Sequence, residues 1–300
     1  MTRITLAKDL EFSRIVHGHW RLADWNITSQ ELLTLTKQAV ELGVTTFDHA
    51  DIYGNYRCEK LFGDALALDS SLRGKIEIVT KCGIKLVSEK FPDRKLKTYD
   101  YSFGHIVASV DHSLENFRTD RIDLLLLHRP APFFDPKEVA EAFLHLKNAG
   151  KVLNFGVSNF NPAQFEMLNR YTGAMLVTNQ VEISPYCLEH FENGNIDYFV
   201  KEKLKPMAWS PLAGGRLINP RDEKGERLMR VLWEVARELQ TETVDKVVYS
   251  WLLKHPAKII PVVGTGRIER IRSASEALDL DMSMEQWYRI YNASTGNDLP

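Results

Sequence analysis

Short apolar runs of strand-like character alternate along this chain with longer stretches whose apolar positions recur at helical spacing. The runs are RIVHG at 14–18, TTFD at 45–48, IEIVTK at 76–81, IDLLLLH at 122–128, FGVS at 155–158, MLVTNQ at 175–180, KPMAWS at 205–210 and KIIPVVG at 258–264. Between them lie helical patterns. Thr28, with Glu31 three residues on, has the form of a capping box before a helix reaching about Leu42, and Asp135 with Glu138 opens another that Gly150 closes. Strand then helix, repeated without a Gly/Ser/Pro-rich linker, predicts an α/β fold: a single (β/α)8 TIM barrel, with residues 1–300 forming one domain. The opening TRITLAKDLEF predicts a short N-terminal β-hairpin closing the bottom of the barrel. An open doubly wound sheet is the competing architecture, and its G-x-G-x-x-G fingerprint is missing near residue 18.

Several runs end in a polar residue or a glycine: Asp48, Lys81, His128, Ser158 with Asn159, Gln180, Ser210 and Gly264. In a parallel barrel those ends share one face, which is where such folds carry their catalytic groups. A charged residue ending a buried strand also demands a partner. Taken singly, an Asp–Lys pair reads as a structural ion pair, a strand-end His as a satisfied core group and a Tyr as packing. Asp48, Lys81 and His128, joined by Tyr53 on the loop after the second strand, read together as an active site suited to carbonyl reduction. A carbonyl accepting hydride needs a proton donor, which a phenol supplies poorly at its reference pKa of about 10. Lys81 would lower that pKa, Asp48 would hold Lys81, and His128 would donate a hydrogen bond to the substrate oxygen.

Composition narrows the classes. A chain of 300 residues, 44% hydrophobic and 26% charged, has enough apolar surface for a large core. A net charge of −2 offers no basic excess, so neither nucleic acid nor an anionic membrane is expected as partner. No stretch has signal-peptide form or approaches the roughly 20 apolar residues of a membrane span. The three cysteines, Cys58, Cys82 and Cys187, are widely spaced and predict reduced thiols in a cytoplasmic protein. His17 and His19 form an HxH at the end of the first strand, as in metal-dependent barrel hydrolases, but the later strands lack the matching ligands; no metal is expected.

FDHADIYGNYRCEKLFGDAL at 47–66 resembles the second-strand signature of the aldo-keto reductase family, and IVTKCG, DLLLLHRP, FGVSNF, TNQVEISP, MAWSPLAGG and VVGTGRIERI follow in the family's order over nearly the whole chain. The resemblance implies that Asp48, Tyr53, Lys81 and His128 are the catalytic tetrad, and that the cofactor is NADPH bound without a Rossmann domain. It further implies that Ser158, Asn159 and Gln180 hold the nicotinamide carboxamide and that Trp209 stacks on the ring. Ser210, Pro211, Leu212, Gly214 and Arg216 belong to the SPLAGGR loop that would wrap the pyrophosphate. Gly264, Thr265, Gly266, Arg267 and Arg270 belong to the segment that would cradle the adenosine phosphate, the two arginines providing charge for a 2′-phosphate and hence a preference for NADPH. Ser273 and Ala274 depart from the Glu-Asn commonly found at these positions, so no adenine ligand is assigned there.

The first loop, GHWRLADWN at 18–26, would put Gly18 and Trp20 beside the nicotinamide, with Trp20 and Trp25 as aromatic walls for the substrate. Arg129, next to His128, is a candidate for attracting an anionic carbonyl compound. The polar segment 85–102 reads as a mobile loop beside the mouth. Some barrels of this family serve as redox-sensing, cofactor-binding subunits with little turnover, which is the alternative function. The absence of an N-terminal extension favours an enzyme acting on a small carbonyl substrate.

Overall fold

The computed structural model describes residues 3–299. Its strands are β1 (Arg3–Ala7), β2 (Leu10–Ser13), β3 (Val16–Gly18), β4 (Thr46–Asp48), β5 (Glu77–Cys82), β6 (Ile84–Lys85), β7 (Thr98–Tyr99), β8 (Ile122–Leu127), β9 (Val152–Ser158), β10 (Leu176–Glu182), β11 (Met207–Trp209) and β12 (Ile260–Val263). Eight of them close a barrel in the order β10-β11-β12-β3-β4-β5-β8-β9, with helices between, so the protein is a (β/α)8 barrel. Each apolar run read from the sequence carries one barrel strand. Strands buried on both faces read as continuous apolar runs, and all six residues of β8 are buried. By its internal contacts the chain divides into two compact units: residues up to Asn179 with Gly264–Ile268, and Gln180–Val263 with residues from Glu269 on.

In the first unit, β1 and β2 pair antiparallel and bury Ile4, Leu10 and Phe12. Ser13 Oγ accepts the backbone N–H groups of Thr45 and Thr46, each at 3.1 Å, while Arg3 donates to Thr45 Oγ1 at 2.8 Å and to Glu77 Oε1 at 2.6 Å. Those partners lie at the N-terminal ends of β4 and β5, so the hairpin closes the bottom of the barrel. Thr28 and Glu31 form the expected capping box on the helix Ser29–Glu41. Asp135 caps the helix Pro136–Asn148 by accepting the Lys137 N–H at 2.9 Å. Glu138 does not complete a box there: its carboxylate accepts the Phe103 N–H at 2.8 Å, at the start of the neighbouring helix Phe103–Phe117.

The polar segment after Lys85 is bracketed by a short antiparallel pair. β6 and β7 pair antiparallel, Ile84 with Tyr99 and Lys85 with Thr98, making an arm that leaves the barrel at Gly83 and returns at Tyr101. Gly83 has φ +104°, and a Cβ there would lie 1.9 Å from the Tyr101 ring, so only glycine lets the two ends of the arm meet. In the second unit, Trp251 and Trp287 stack at 4.8 Å, and each indole N–H donates to the other residue's carbonyl. Among the described residues no helix is long and apolar enough to cross a membrane.

Candidate active site

Asp48 is the last residue of β4 and Lys81 the fifth of β5, side by side in the first unit and 3% and 1% exposed. Lys81 Nζ donates to both Asp48 oxygens at 2.7 and 2.8 Å, to the His49 carbonyl at 2.7 Å and to Tyr53 Oη at 3.1 Å. An ammonium has three protons, so one is shared between the two carboxylate oxygens. Because Tyr53 Oη accepts from Lys81, its own proton remains to be donated elsewhere. His128 follows β8, its N–H bonded to the Cys82 carbonyl at 3.0 Å, and its ring meets the Tyr53 ring edge-on at 5.8 Å. The structure thus brings Asp48, Tyr53, Lys81 and His128 together.

Burial tends to lower the Lys81 pKa, but Asp48 and Tyr53 outweigh it and hold the ammonium above the ordinary lysine value. Burial raises the Tyr53 phenol, and Lys81 offsets only part of that rise. This corrects the sequence expectation: Lys81 acts in the direction anticipated, yet the net shift is upward and the phenol is fully protonated at neutral pH. Burial, followed by the charges of Lys81 and Arg129, drives His128 well below its usual range, so it presents a neutral imidazole.

Tyr53 sits at the head of a left-handed turn. Gly54, Asn55 and Tyr56 have φ of 58°, 57° and 65° in succession, a conformation that costs non-glycine residues roughly 1–2 kcal/mol each. The Arg57 N–H closes the turn on the Tyr53 carbonyl at 3.1 Å. A Cβ on Gly54 would lie 2.6 Å from Cys58 Sγ and 2.7 Å from Ala23 Cβ, so glycine is required by space as well as by angle. Behind the site, Glu59 is buried and accepts from Thr80 at 2.6 Å, Ser113 at 2.9 Å and Asn116 at 3.2 Å, tying the helix Cys58–Leu66 to the strand that carries Lys81.

The HxH histidines are used internally. His17 Nε2 donates to the Thr265 carbonyl at 2.8 Å, and His19 Nδ1 shares a hydrogen bond with His49 Nε2 at 2.8 Å. Trp25 is half-buried, stacking on His17 at 5.7 Å and meeting His19 edge-on. No group of three or more His, Cys, Asp or Glu side chains among the described residues is placed to hold a metal ion. Burial lowers His17 to about 4 from an ordinary 6.5, and pushes His19 and His49 down as well. These groups are neutral in the fold and protonate more readily when unfolded, so their stabilisation is complete above pH 6.5 and is lost as the pH falls toward 4. His17 alone accounts for about 3 kcal/mol of that loss. Urea unfolding of wild type and His17→Phe across this range is expected to show the smaller pH dependence in the variant, and parallel curves would sink the assignment.

The remaining expected site residues lie as follows. In the first unit, Gly18 ends β3 and its carbonyl lies 3.7 Å from where a Cβ on Gly264 would stand; Gly266 packs against Trp25, which a Cβ would meet at 2.9 Å. Thr265 Oγ1 accepts the Arg267 N–H at 3.2 Å, and the Arg267 side chain is exposed. Ser158 ends β9, and Asn159, at φ 64°, donates to Ser158 Oγ at 2.7 Å. Trp20 is 58% exposed with the Arg21 guanidinium over its ring. In the second unit, Gln180 lies near Met207 Sδ and Trp209 ends β11. Ser210, Ala213, Gly214 and Gly215 all have positive φ, Pro211 is buried, and the Leu212 carbonyl accepts the Gly215 N–H at 2.9 Å. Arg216 is committed locally, its Nε donating to the Ala213 carbonyl and its guanidinium lying 4.2 Å over the Tyr186 ring. Arg270 is exposed on the helix Ile268–Glu276. Ser273 is buried and donates to Asp245 at 2.9 Å.

The glycine-bearing loop of the second unit suits an anionic phosphate group. Nothing would touch a Cβ on Gly214 or Gly215 within 4 Å, so the loop leaves open space for close backbone approach to phosphate oxygens. Sequence reasoning missed His49, whose carbonyl holds Lys81, and Tyr56 with its arm. The role of His49 rests on its backbone carbonyl, which no side-chain type signals, and that of Tyr56 depends on contacts distant in sequence.

The model of the aldo/keto reductase family matches residues 14–294. An uncharacterised oxidoreductase of Bacillus subtilis (strain 168), YcsN, is 51% identical over 100% of both chains. A 6-dehydroglucose reductase of Agrobacterium fabrum is 42% identical over 100% of both chains. A solved thermostable aldo-keto reductase, in complex with the inhibitor epalrestat, shares the fold with a TM-score of 0.82 at 24% identity, covering 98% of this chain and 100% of that one.

Proposed function

The chain belongs to the aldo-keto reductase family, and on that premise we propose that it is an NADPH-dependent reductase of aldehydes or ketones with Tyr53 as the proton donor. The observation that carries this reading is the four-way contact of Lys81, which binds Asp48 and Tyr53 Oη at once. A nicotinamide cofactor held by the residues assigned below would supply the hydride that the carbonyl carbon accepts. Tyr53 Oη gives its proton to the carbonyl oxygen as negative charge develops there, and the Lys81 ammonium stabilises the phenolate left behind. Asp48 keeps Lys81 charged and in place, and the neutral His128 ring orients the substrate oxygen through a hydrogen bond. Afterwards the phenolate recovers a proton from solvent.

Ser158, Asn159 and Gln180 are assigned to the nicotinamide carboxamide, Trp209 to its ring and the Ser210–Arg216 loop to the pyrophosphate. Gly18 and Trp20 are assigned beside the nicotinamide, and Gly264, Thr265 and Gly266 to the adenosine end. The exposed Arg267 and Arg270 are the reason for preferring NADPH. Arg270→Ala is expected to weaken NADPH binding by about tenfold, near 1.4 kcal/mol, and to leave NADH binding unchanged. Equal losses for both cofactors, in a fluorescence titration, would remove the 2′-phosphate assignment.

The whole span 1–300 acts as one catalytic domain in the cytoplasm, in keeping with the free thiols of Cys58, Cys82 and Cys187. The relative that reduces 6-dehydroglucose makes a polyhydroxylated aldehyde the first substrate to try. The test is NADPH consumption against a panel of aldehydes and ketones that includes 6-dehydroglucose. Turnover of a panel member supports the reading. Cofactor binding without turnover of any of them favours the redox-sensing alternative.

A further inference from the structure

The arm and the left-handed turn meet at one atom. Tyr56 Oη accepts the Leu86 N–H at 2.9 Å and Arg94 Nη1 at 2.8 Å, so both hydrogen bonds come from the arm between β6 and β7. The Arg94 guanidinium lies 3.6 Å over the Phe91 ring, which in turn meets the Tyr56 ring edge-on at 5.0 Å. Tyr56 is the third left-handed residue after Tyr53, and its N–H reaches back to the Ile52 carbonyl at 3.3 Å. On its other side the turn is blocked by the Gly54 contact with Ala23 and Cys58. A turn in an unfavourable conformation persists only when its surroundings hold it, and here the holding contacts come from residues 30 and 38 positions away.

We propose that Tyr56 is a positioning residue for Tyr53: by docking the arm through its hydroxyl, it holds the left-handed turn that sets the Tyr53 phenol against Lys81 and His128. The consequence for catalysis rests on the reading of Tyr53 as proton donor; the consequence for Tyr53 geometry does not. Phe at position 56 keeps the ring contact with Phe91 and removes the oxygen that both donors use. A shift of the donor by a fraction of an ångström slows chemistry more than it weakens substrate binding.

The experiment compares wild type, Tyr53→Phe, Tyr56→Phe and Arg94→Met by steady-state kinetics and by NMR of isotope-labelled tyrosine in the cofactor-free protein. The Tyr53 signal is identified by its loss in Tyr53→Phe. Tyr56→Phe is expected to lower kcat about tenfold with KM for the carbonyl changed less than about twofold, and to displace the Tyr53 signal and its titration midpoint. Arg94→Met, which removes one half-buried donor, is expected to act in the same direction and decides the matter if Tyr56→Phe does not fold. A Tyr53 signal identical to wild type in the folded variants overturns the inference, even if kcat falls, because the arm would then be acting on the substrate. A displaced Tyr53 signal in both variants, together with full activity of Tyr53→Phe, leaves Tyr56 in its positioning role and removes Tyr53 as the proton donor.

Discussion

Tyr53→Phe is expected to lower carbonyl turnover by about 10²–10⁴-fold, the usual contribution of a placed general acid, while NADPH binding followed by tryptophan fluorescence stays at the wild-type level. The variant keeps the ring that meets His128 and deletes only the oxygen that accepts from Lys81 at 3.1 Å. Because that oxygen makes one charge-assisted contact, the stability lost should be small, about 1–2 kcal/mol. A variant that turns over at the wild-type rate would assign the proton to another group, with His128 next in line by proximity.

Lys81→Met is expected to have the larger effect on the fold. Asp48 is 3% exposed, and without the ammonium this buried carboxylate loses the ion pair that Lys81 makes with both of its oxygens. Removing one partner of such a pair costs about 3–5 kcal/mol, to be measured as the loss in urea-unfolding free energy at neutral pH. Asp48→Asn in the same background should restore part of the stability and none of the turnover. A loss below about 1 kcal/mol in Lys81→Met would mean that water or a neighbouring donor satisfies Asp48 instead.

The eight barrel strands were legible because a strand buried on both faces needs apolar residues throughout, and IDLLLL is such a run. The meeting of Asp48, Lys81 and His128 was legible because polar residues that end buried strands share one face of a parallel barrel. Other features depended on neighbours that are distant in the chain. Thr28–Glu31 and Asp135–Glu138 share one pattern, yet Glu138 is drawn away by the Phe103 N–H of the next helix. The stacking of Trp25 on His17 joins two residues that the sequence reading took separately. The arm was hidden because its strands are two residues each, in a polar segment, and its form is set by the Gly83–Tyr101 approach and by Tyr56. The direction of the Tyr53 shift was misjudged because the sequence names the neighbouring charge and is silent on the depth of burial that outweighs it.

The bottom hairpin has a practical consequence. Arg3 and Ser13 are bonded to the N-terminal ends of β4 and β5, and Asp48 and Lys81 stand toward the other ends of those same strands. Along β5 the two faces are about 13 Å apart at a strand's rise per residue. The exposed Lys8, in the hairpin turn, is therefore an anchoring point for a fluorophore or a solid support that leaves the tetrad side of the strands turned toward the medium.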